Sequence, residues 1–105
     1  MKEISVSQLK AKIDNKEDFQ LIDVREQFEY EISNLHGELI PMATFFDNVD
    51  KIARDKTVVI HCKSGSRSKM IVMELERRFG FNNLYNLHGG INAYAREIDP
   101  GLTVY

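Results

Sequence analysis

The sequence predicts an α/β domain built around a mostly parallel β-sheet. Short apolar runs bounded by turn residues alternate with segments whose apolar residues recur at helical spacing. The clearest run, residues 57–61, is β-branched and nearly continuous, which is typical of a central parallel strand covered on both faces. A length of 105 residues suits one compact domain better than two. We therefore expect residues 1–105 to form a single domain.

The first half of the chain begins with a predicted helix. Ser5 is placed to cap it, and Leu9 and Ile13 lie four residues apart on one face. A buried strand is predicted over residues 20–24 and a helix of about two turns over residues 26–31. A short strand over residues 39–40, ended by Pro41, and another helix over residues 43–53 follow.

The second half contains the clearest helix, predicted over residues 66–79. Ile71 and Leu75 mark its apolar stripe, and Gly80 is placed to end it with a positive φ. The chain is completed by a strand over residues 84–87, a Gly-Gly turn at residues 89–90 and a last helix over residues 91–98.

Composition and charge exclude several classes of function. The chain has 14 basic and 16 acidic side chains, so it has no overall basic field for nucleic acid. Its single cysteine and three scattered histidines predict neither an internal disulfide nor a metal site. No run of about 18 apolar residues and no apolar leader is present. We therefore expect no membrane association and a cytoplasmic location.

The single cysteine, Cys62, follows the strongest predicted strand and precedes the longest predicted helix. In an open parallel sheet, ligands bind at the carboxyl ends of the strands. Gly65 would let the loop curl so that its N–H groups converge on an anion, and Lys63 and Arg67 add positive charge. These features predict a reactive thiolate in an anion site, rather than a cysteine that only packs as a small apolar side chain. The predicted substrate-binding residues are those of the loop: Lys63, Ser64, Gly65, Ser66, Arg67 and Ser68.

Four stretches, in order along the chain, resemble motifs of the rhodanese family. Residues 62–67, Cys-Lys-Ser-Gly-Ser-Arg, match its Cys-x-Ser-Gly-x-Arg loop, and the usual serine follows. Residues 21–30 are similar to its first signature, residues 34–41 resemble the form found in some ubiquitin-activating-like sulfur-carrier enzymes, and residues 87–94 resemble its closing Gly-Gly motif. The resemblance implies a three-layer domain with a central, mostly parallel five-stranded sheet and helices on both faces.

Two stretches depart from the family's pattern. Tyr94 stands where many members have tryptophan, and residues 33–38 replace the frequent Gly-His-Ile-Pro-Gly-Ala. Both departures lie outside the cysteine loop, so they bear on the choice of subfamily more than on the chemistry.

The resemblance implies a thiosulfate sulfurtransferase. The Cys62 thiolate would take a sulfur atom from a small anionic donor such as thiosulfate, hold it as a persulfide, and pass it to cyanide, a thiol or an acceptor protein. No metal or organic cofactor is implied. By the same resemblance Asp23 and Arg25 brace the fold. We expect His61 to be a packed histidine rather than a base, because its side chain alternates away from that of Cys62.

Two other functions stay open. Cysteine-dependent phosphatases also place a cysteine and an arginine after a strand, but their signature separates the two by five residues, whereas four separate Cys62 from Arg67. They also use an aspartate as general acid, and Asp47 and Asp50 lie on a predicted helix with no clear route to the loop. The second alternative is a binding module without catalysis. We favour the sulfurtransferase.

Overall fold

The computed structural model describes all residues, 1–105, and its centre is one parallel sheet. Every pair of neighbouring strands runs parallel, in the order β1-β5-β4-β2-β3. The prediction of an α/β fold with a mostly parallel five-stranded sheet is therefore confirmed. The strands are β1 (Lys2–Ile4), β2 (Gln20–Asp23), β3 (Glu38–Leu39), β4 (Val58–His61) and β5 (Leu84–Leu87).

Helical segments connect the strands. The four α-helices are α1 (Val6–Asp14), α2 (Gln27–Ile32), α3 (Ser66–Phe79) and α4 (Gly90–Glu97), and a 3₁₀ segment covers Met42–Lys51. Ser5 caps α1 as predicted, because its hydroxyl accepts a hydrogen bond from the Gln8 N–H while the Gln8 side chain accepts one from the Ser5 N–H. No helix is both long enough and apolar enough to cross a bilayer.

Two apolar cores lie on opposite faces of the sheet, as a three-layer arrangement requires. Successive residues of β4 alternate between them: Val58 and Ile60 pack into one core with α3 and the 3₁₀ segment, while Val59 packs into the other with α1 and α4. All four residues of β4 are buried, as the sequence predicts for a central strand. This position brings Cys62 to the carboxyl edge of the sheet.

Two elements differ from the prediction. Strand β1 was not expected, because only Ile4 of its three residues is buried and such an edge strand has little apolar pattern. The predicted helix over residues 43–53 is a 3₁₀ segment over Met42–Lys51, interrupted where Asn48 has φ −122° and ψ 21°. Its fully buried side chain is Phe45.

A buried ion pair fixes the end of β2. The Arg25 guanidinium donates to both carboxylate oxygens of Asp23, at 2.8–3.1 Å, and to the Ser33 carbonyl at 2.8 Å. The two side chains are only 1% and 0% exposed. Because Arg25 reaches past the end of α2, the pair ties the carboxyl edge of the sheet to the connection between α2 and β3.

Replacing Arg25 with methionine tests this pair. We expect Arg25→Met to lower the free energy of unfolding by about 3–5 kcal/mol, because the Asp23 carboxylate would stay buried without a partner. Urea unfolding measures the loss. The control is Lys10→Met, which removes an exposed pair with Asp14 and should leave the free energy of unfolding nearly unchanged. A similarly small loss for Arg25→Met would contradict the bracing role.

Candidate active site

Cys62 is the first residue after β4, and its side chain is 0% exposed. Its backbone carbonyl accepts a hydrogen bond from the Ile91 N–H at the start of α4, at 3.0 Å. The strand positions the residue on one side and the helix holds it on the other. The cysteine is therefore fixed in a buried position at the sheet edge.

Two backbone N–H donors and one hydroxyl group surround the Cys62 sulfur. The Gly65 N–H lies 3.1 Å from Sγ, the Ser68 N–H 3.5 Å and the Ser68 hydroxyl 3.4 Å. All three come from the loop or from the first turn of α3, whose N–H groups have no partner within the helix. Donors that converge in this way stabilise negative charge on a sulfur atom.

Gly65 makes this convergence possible. Its φ of +105° is a conformation that L side chains rarely adopt, and it is the residue that caps α3. The same turn exposes the Gly65 carbonyl to the Asn86 side chain, which donates to it at 3.2 Å. The loop therefore needs glycine here, as the sequence suggested.

Asn86 is a site residue that the sequence analysis missed. It is 1% exposed, and besides Gly65 its amide nitrogen contacts the Glu3 carboxylate at 3.2 Å, while its amide oxygen lies 2.5 Å from the Ser68 hydroxyl. Asn86 thus sets the position of a group that contacts Sγ. The available signal was a polar residue inside the otherwise apolar strand β5, since a buried amide needs partners.

Gly90 also acts on the loop, whereas the sequence suggested only a tight turn. A Cβ placed on Gly90 would lie 2.4 Å from the Lys63 carbonyl oxygen and 2.6 Å from that of Cys62. The next two residues of α4, Ile91 and Asn92, donate their N–H groups to these same carbonyls at 3.0 Å. The absent side chain therefore allows α4 to dock directly on the loop backbone.

Arg67 turns towards α2. Its guanidinium makes two hydrogen bonds to the Glu29 carboxylate, at 2.8 and 3.0 Å. This contact lowers the pKa of Glu29 to about 2, with a smaller lowering from the Glu26 N–H. The Glu29 carboxylate in turn raises the pKa of Arg67, and the nearby Cys62 charge raises it further. Glu29 was not anticipated, because it contacts the loop only through the tertiary fold.

The other loop side chains face outwards. Lys63 is half-buried, and its Nζ lies 5.3 Å from the centre of the Tyr105 ring, with no carboxylate partner. Ser64 and Ser66 are exposed, and they line a polar cavity of about 290 Å³ beside the loop. Of the predicted substrate-binding residues, only Gly65 and Ser68 form hydrogen bonds with Sγ.

His61 lies beneath the loop rather than beside the sulfur. Its Nδ1 is 3.3 Å from the Cys62 carbonyl oxygen and its Nε2 is 3.6 Å from the Asp23 carboxylate. Complete burial holds the pKa of His61 below its ordinary value, and the Asp23 charge only partly offsets this effect. Neither ring nitrogen is in reach of Sγ as a base.

Comparison with known proteins gives one family. The family model of the rhodanese-like domain matches residues 5–97 of this chain. The chain is 35% identical to rhodanese-like/PpiC domain-containing protein 12, chloroplastic, of Arabidopsis thaliana, over 100% of this chain and 38% of that protein. It is 31% identical to the probable adenylyltransferase/sulfurtransferase MoeZ of Mycobacterium tuberculosis, over 97% of this chain and 26% of that protein. The chain thus spans well under half the length of these curated relatives.

A solved structure of similar size agrees with this result. A rhodanese-like domain protein from Staphylococcus aureus is 31% identical, with a TM-score of 0.83 over 100% of this chain and 99% of that one. The likeness in fold therefore extends over the whole chain.

The close approach of α4 to the loop can be tested with two glycine variants. We expect Gly90→Ala to lower the free energy of unfolding by about 2–4 kcal/mol, because it combines a left-handed backbone with overlap against two carbonyl oxygens. Gly80→Ala is the matched control: its φ is also positive, at +70°, but no atom lies within 4 Å of the added Cβ. It should cost only about 1 kcal/mol. If chemical unfolding gives the same loss of unfolding free energy for Gly90→Ala and Gly80→Ala, the close approach of α4 to the loop does not affect stability.

Proposed function

The chain belongs to the rhodanese-like domain family, and on that premise we propose that it is a sulfurtransferase in which Cys62 carries a sulfur atom as a persulfide. Relatives whose names include sulfurtransferase support this proposal. The substrate-binding residues are the six that follow the cysteine: Lys63, Ser64, Gly65, Ser66, Arg67 and Ser68.

The observation that carries the proposal is the pair of backbone N–H donors at Cys62 Sγ, from Gly65 and Ser68. A thiolate is the attacking form of cysteine, and a persulfide is likewise an anion with its charge on sulfur. The same preformed N–H groups can stabilise both forms without rearranging during the reaction. A cysteine that served packing alone would not need two backbone amides aimed at its sulfur.

The proposed cycle has two displacement steps. The Cys62 thiolate attacks the outer sulfur of an anionic donor such as thiosulfate, the donor's S–S bond breaks, and sulfite leaves with the bonding electron pair. A nucleophilic acceptor then attacks the outer sulfur of the persulfide, and Cys62 leaves as the thiolate. Cyanide can serve as acceptor in an assay, and a thiol or an acceptor protein in the cell. Each step conserves charge and needs neither a metal nor an organic cofactor.

In this proposal the charged residues at the mouth of the loop bind the donor. Lys63 has no carboxylate partner, so its ammonium group can attract an anion. Arg67 supplies a planar guanidinium that suits oxyanions, although Glu29 holds it when no donor is bound.

Mass spectrometry of the intact protein after incubation with thiosulfate tests the proposal. We expect the protein to gain one sulfur atom, removable by cyanide or by a reducing thiol, and we expect no gain in Cys62→Ser. Cys62→Ser should keep its fold, which circular dichroism checks. Hydrolysis of p-nitrophenyl phosphate without any sulfur gain would favour the phosphatase instead. A folded protein with neither activity would favour the binding module.

A further inference from the structure

We propose that Glu29 determines donor specificity: by occupying the Arg67 guanidinium, it weakens binding of small dianions such as thiosulfate and favours donors whose sulfur is carried on a thiol as a persulfide. This inference rests on the proposed sulfurtransferase function. It concerns which donors the site accepts, rather than whether Cys62 accepts sulfur.

The contact between Glu29 and Arg67 satisfies both groups. Each carboxylate oxygen of Glu29 accepts from a different guanidinium nitrogen, at 2.8 and 3.0 Å. The Glu29 side chain is 5% exposed and that of Arg67 is 32% exposed. Such a paired, partly desolvated contact is stronger than an exposed ion pair. A donor that needs the guanidinium must therefore displace Glu29.

Glu29 is also held in place independently of Arg67. Its carboxylate accepts a hydrogen bond from the Glu26 N–H at 3.0 Å, within the capping box that begins α2. Since the carboxylate is fixed by its own helix, it does not move away when a ligand approaches the loop. Glu29 is therefore a standing competitor for Arg67.

The charge on Glu29 is permanent under physiological conditions. Hydrogen bonding to Arg67 lowers its pKa to about 2, so the carboxylate is ionised at neutral pH. The positive charge of Arg67 is accordingly balanced. Among the loop residues only Lys63 keeps an unpaired positive charge. Because Coulomb attraction scales with the charge of the ligand, balancing the Arg67 charge weakens the attraction for a dianion more than for a donor with a single negative charge.

A thiol-borne persulfide meets this requirement. The Cys62 thiolate attacks its outer sulfur, the bond between the donor's two sulfur atoms breaks, and the inner sulfur leaves as a thiolate with the electron pair. Cys62 then holds the outer sulfur, and no oxidant or reductant is consumed. The donor carries at most one charge at the reacting end, so it does not need Arg67.

The test compares two donors in Glu29→Gln, which keeps the acceptor for the Glu26 N–H but removes the charge. We expect the KM for thiosulfate to fall roughly tenfold, as the loss of one charge-assisted competitor implies. The KM for mercaptoethanol persulfide should stay nearly unchanged. Adding Arg67→Ala to this variant should abolish the gain. An unchanged or raised KM for thiosulfate in a folded Glu29→Gln protein overturns the proposal.

Glu31→Gln is the matched control. Glu31 lies two residues further along α2, is exposed, and contacts only Gln27, so the variant removes the same charge without touching Arg67. Its KM for thiosulfate should equal that of the wild type. A fall as large as that of Glu29→Gln would show a general charge effect and would overturn the proposal.

A binding measurement keeps the test independent of turnover and of the stability of Glu29→Gln. In Cys62→Ser, NMR follows the Arg67 guanidinium and the loop amides during titration with thiosulfate. The proposal expects the amides to shift while Arg67 stays at its Glu29-bound position. If the Arg67 guanidinium signal shifts together with the amide signals at the same thiosulfate concentrations, the proposal is overturned. If wild-type Cys62 gains no sulfur from either donor, the proposed sulfurtransferase function is wrong. That outcome is separate from the NMR titration, which tests only whether thiosulfate reaches Arg67.

Discussion

The hydrogen bonds that converge on the Cys62 sulfur are the interaction on which the rest of the site depends. They require a loop that turns back on itself within a few residues, which Gly65 provides through its positive φ. The loop also has carbonyl groups that need hydrogen-bond partners from outside it. Asn86 from β5 and the first turn of α4 supply these partners. The parallel sheet brings all of these groups to one edge.

Two arginine–carboxylate pairs lie near this edge, and burial separates their roles. The pair of Asp23 and Arg25 is closed off from water, and its bonds end on the backbone of the α2–β3 connection. The pair of Glu29 and Arg67 is partly open, and its arginine belongs to the loop itself. The first pair is suited to holding the structure together, whereas the second balances the charge of a loop residue that is partly open to solvent. The site thus combines a fully buried ion pair beneath the sheet edge with a partly exposed one at the mouth of the loop.

Much of the architecture could be predicted from the sequence, because it depends on local patterns. Helix α3 has the predicted bounds, since its apolar stripe and Gly80 mark it without help from other elements. Strand β4 and the position of Cys62 follow from one unbroken apolar run. Strand β1 could not be predicted, because an exposed edge strand has little pattern. Asn86, Gly90 and Glu29 were missed for a different reason: each meets the loop only after distant parts of the chain have packed together.

This distribution along the chain has a consequence for the order in which the protein matures. The cysteine precedes Asn86 by more than twenty residues, and the docking turn of α4 comes later still. A nascent chain that has exposed Cys62 but not yet β5 or α4 lacks the contacts that hold the loop closed. The hydrogen-bonded arrangement around Sγ is therefore complete only once the last quarter of the chain has folded.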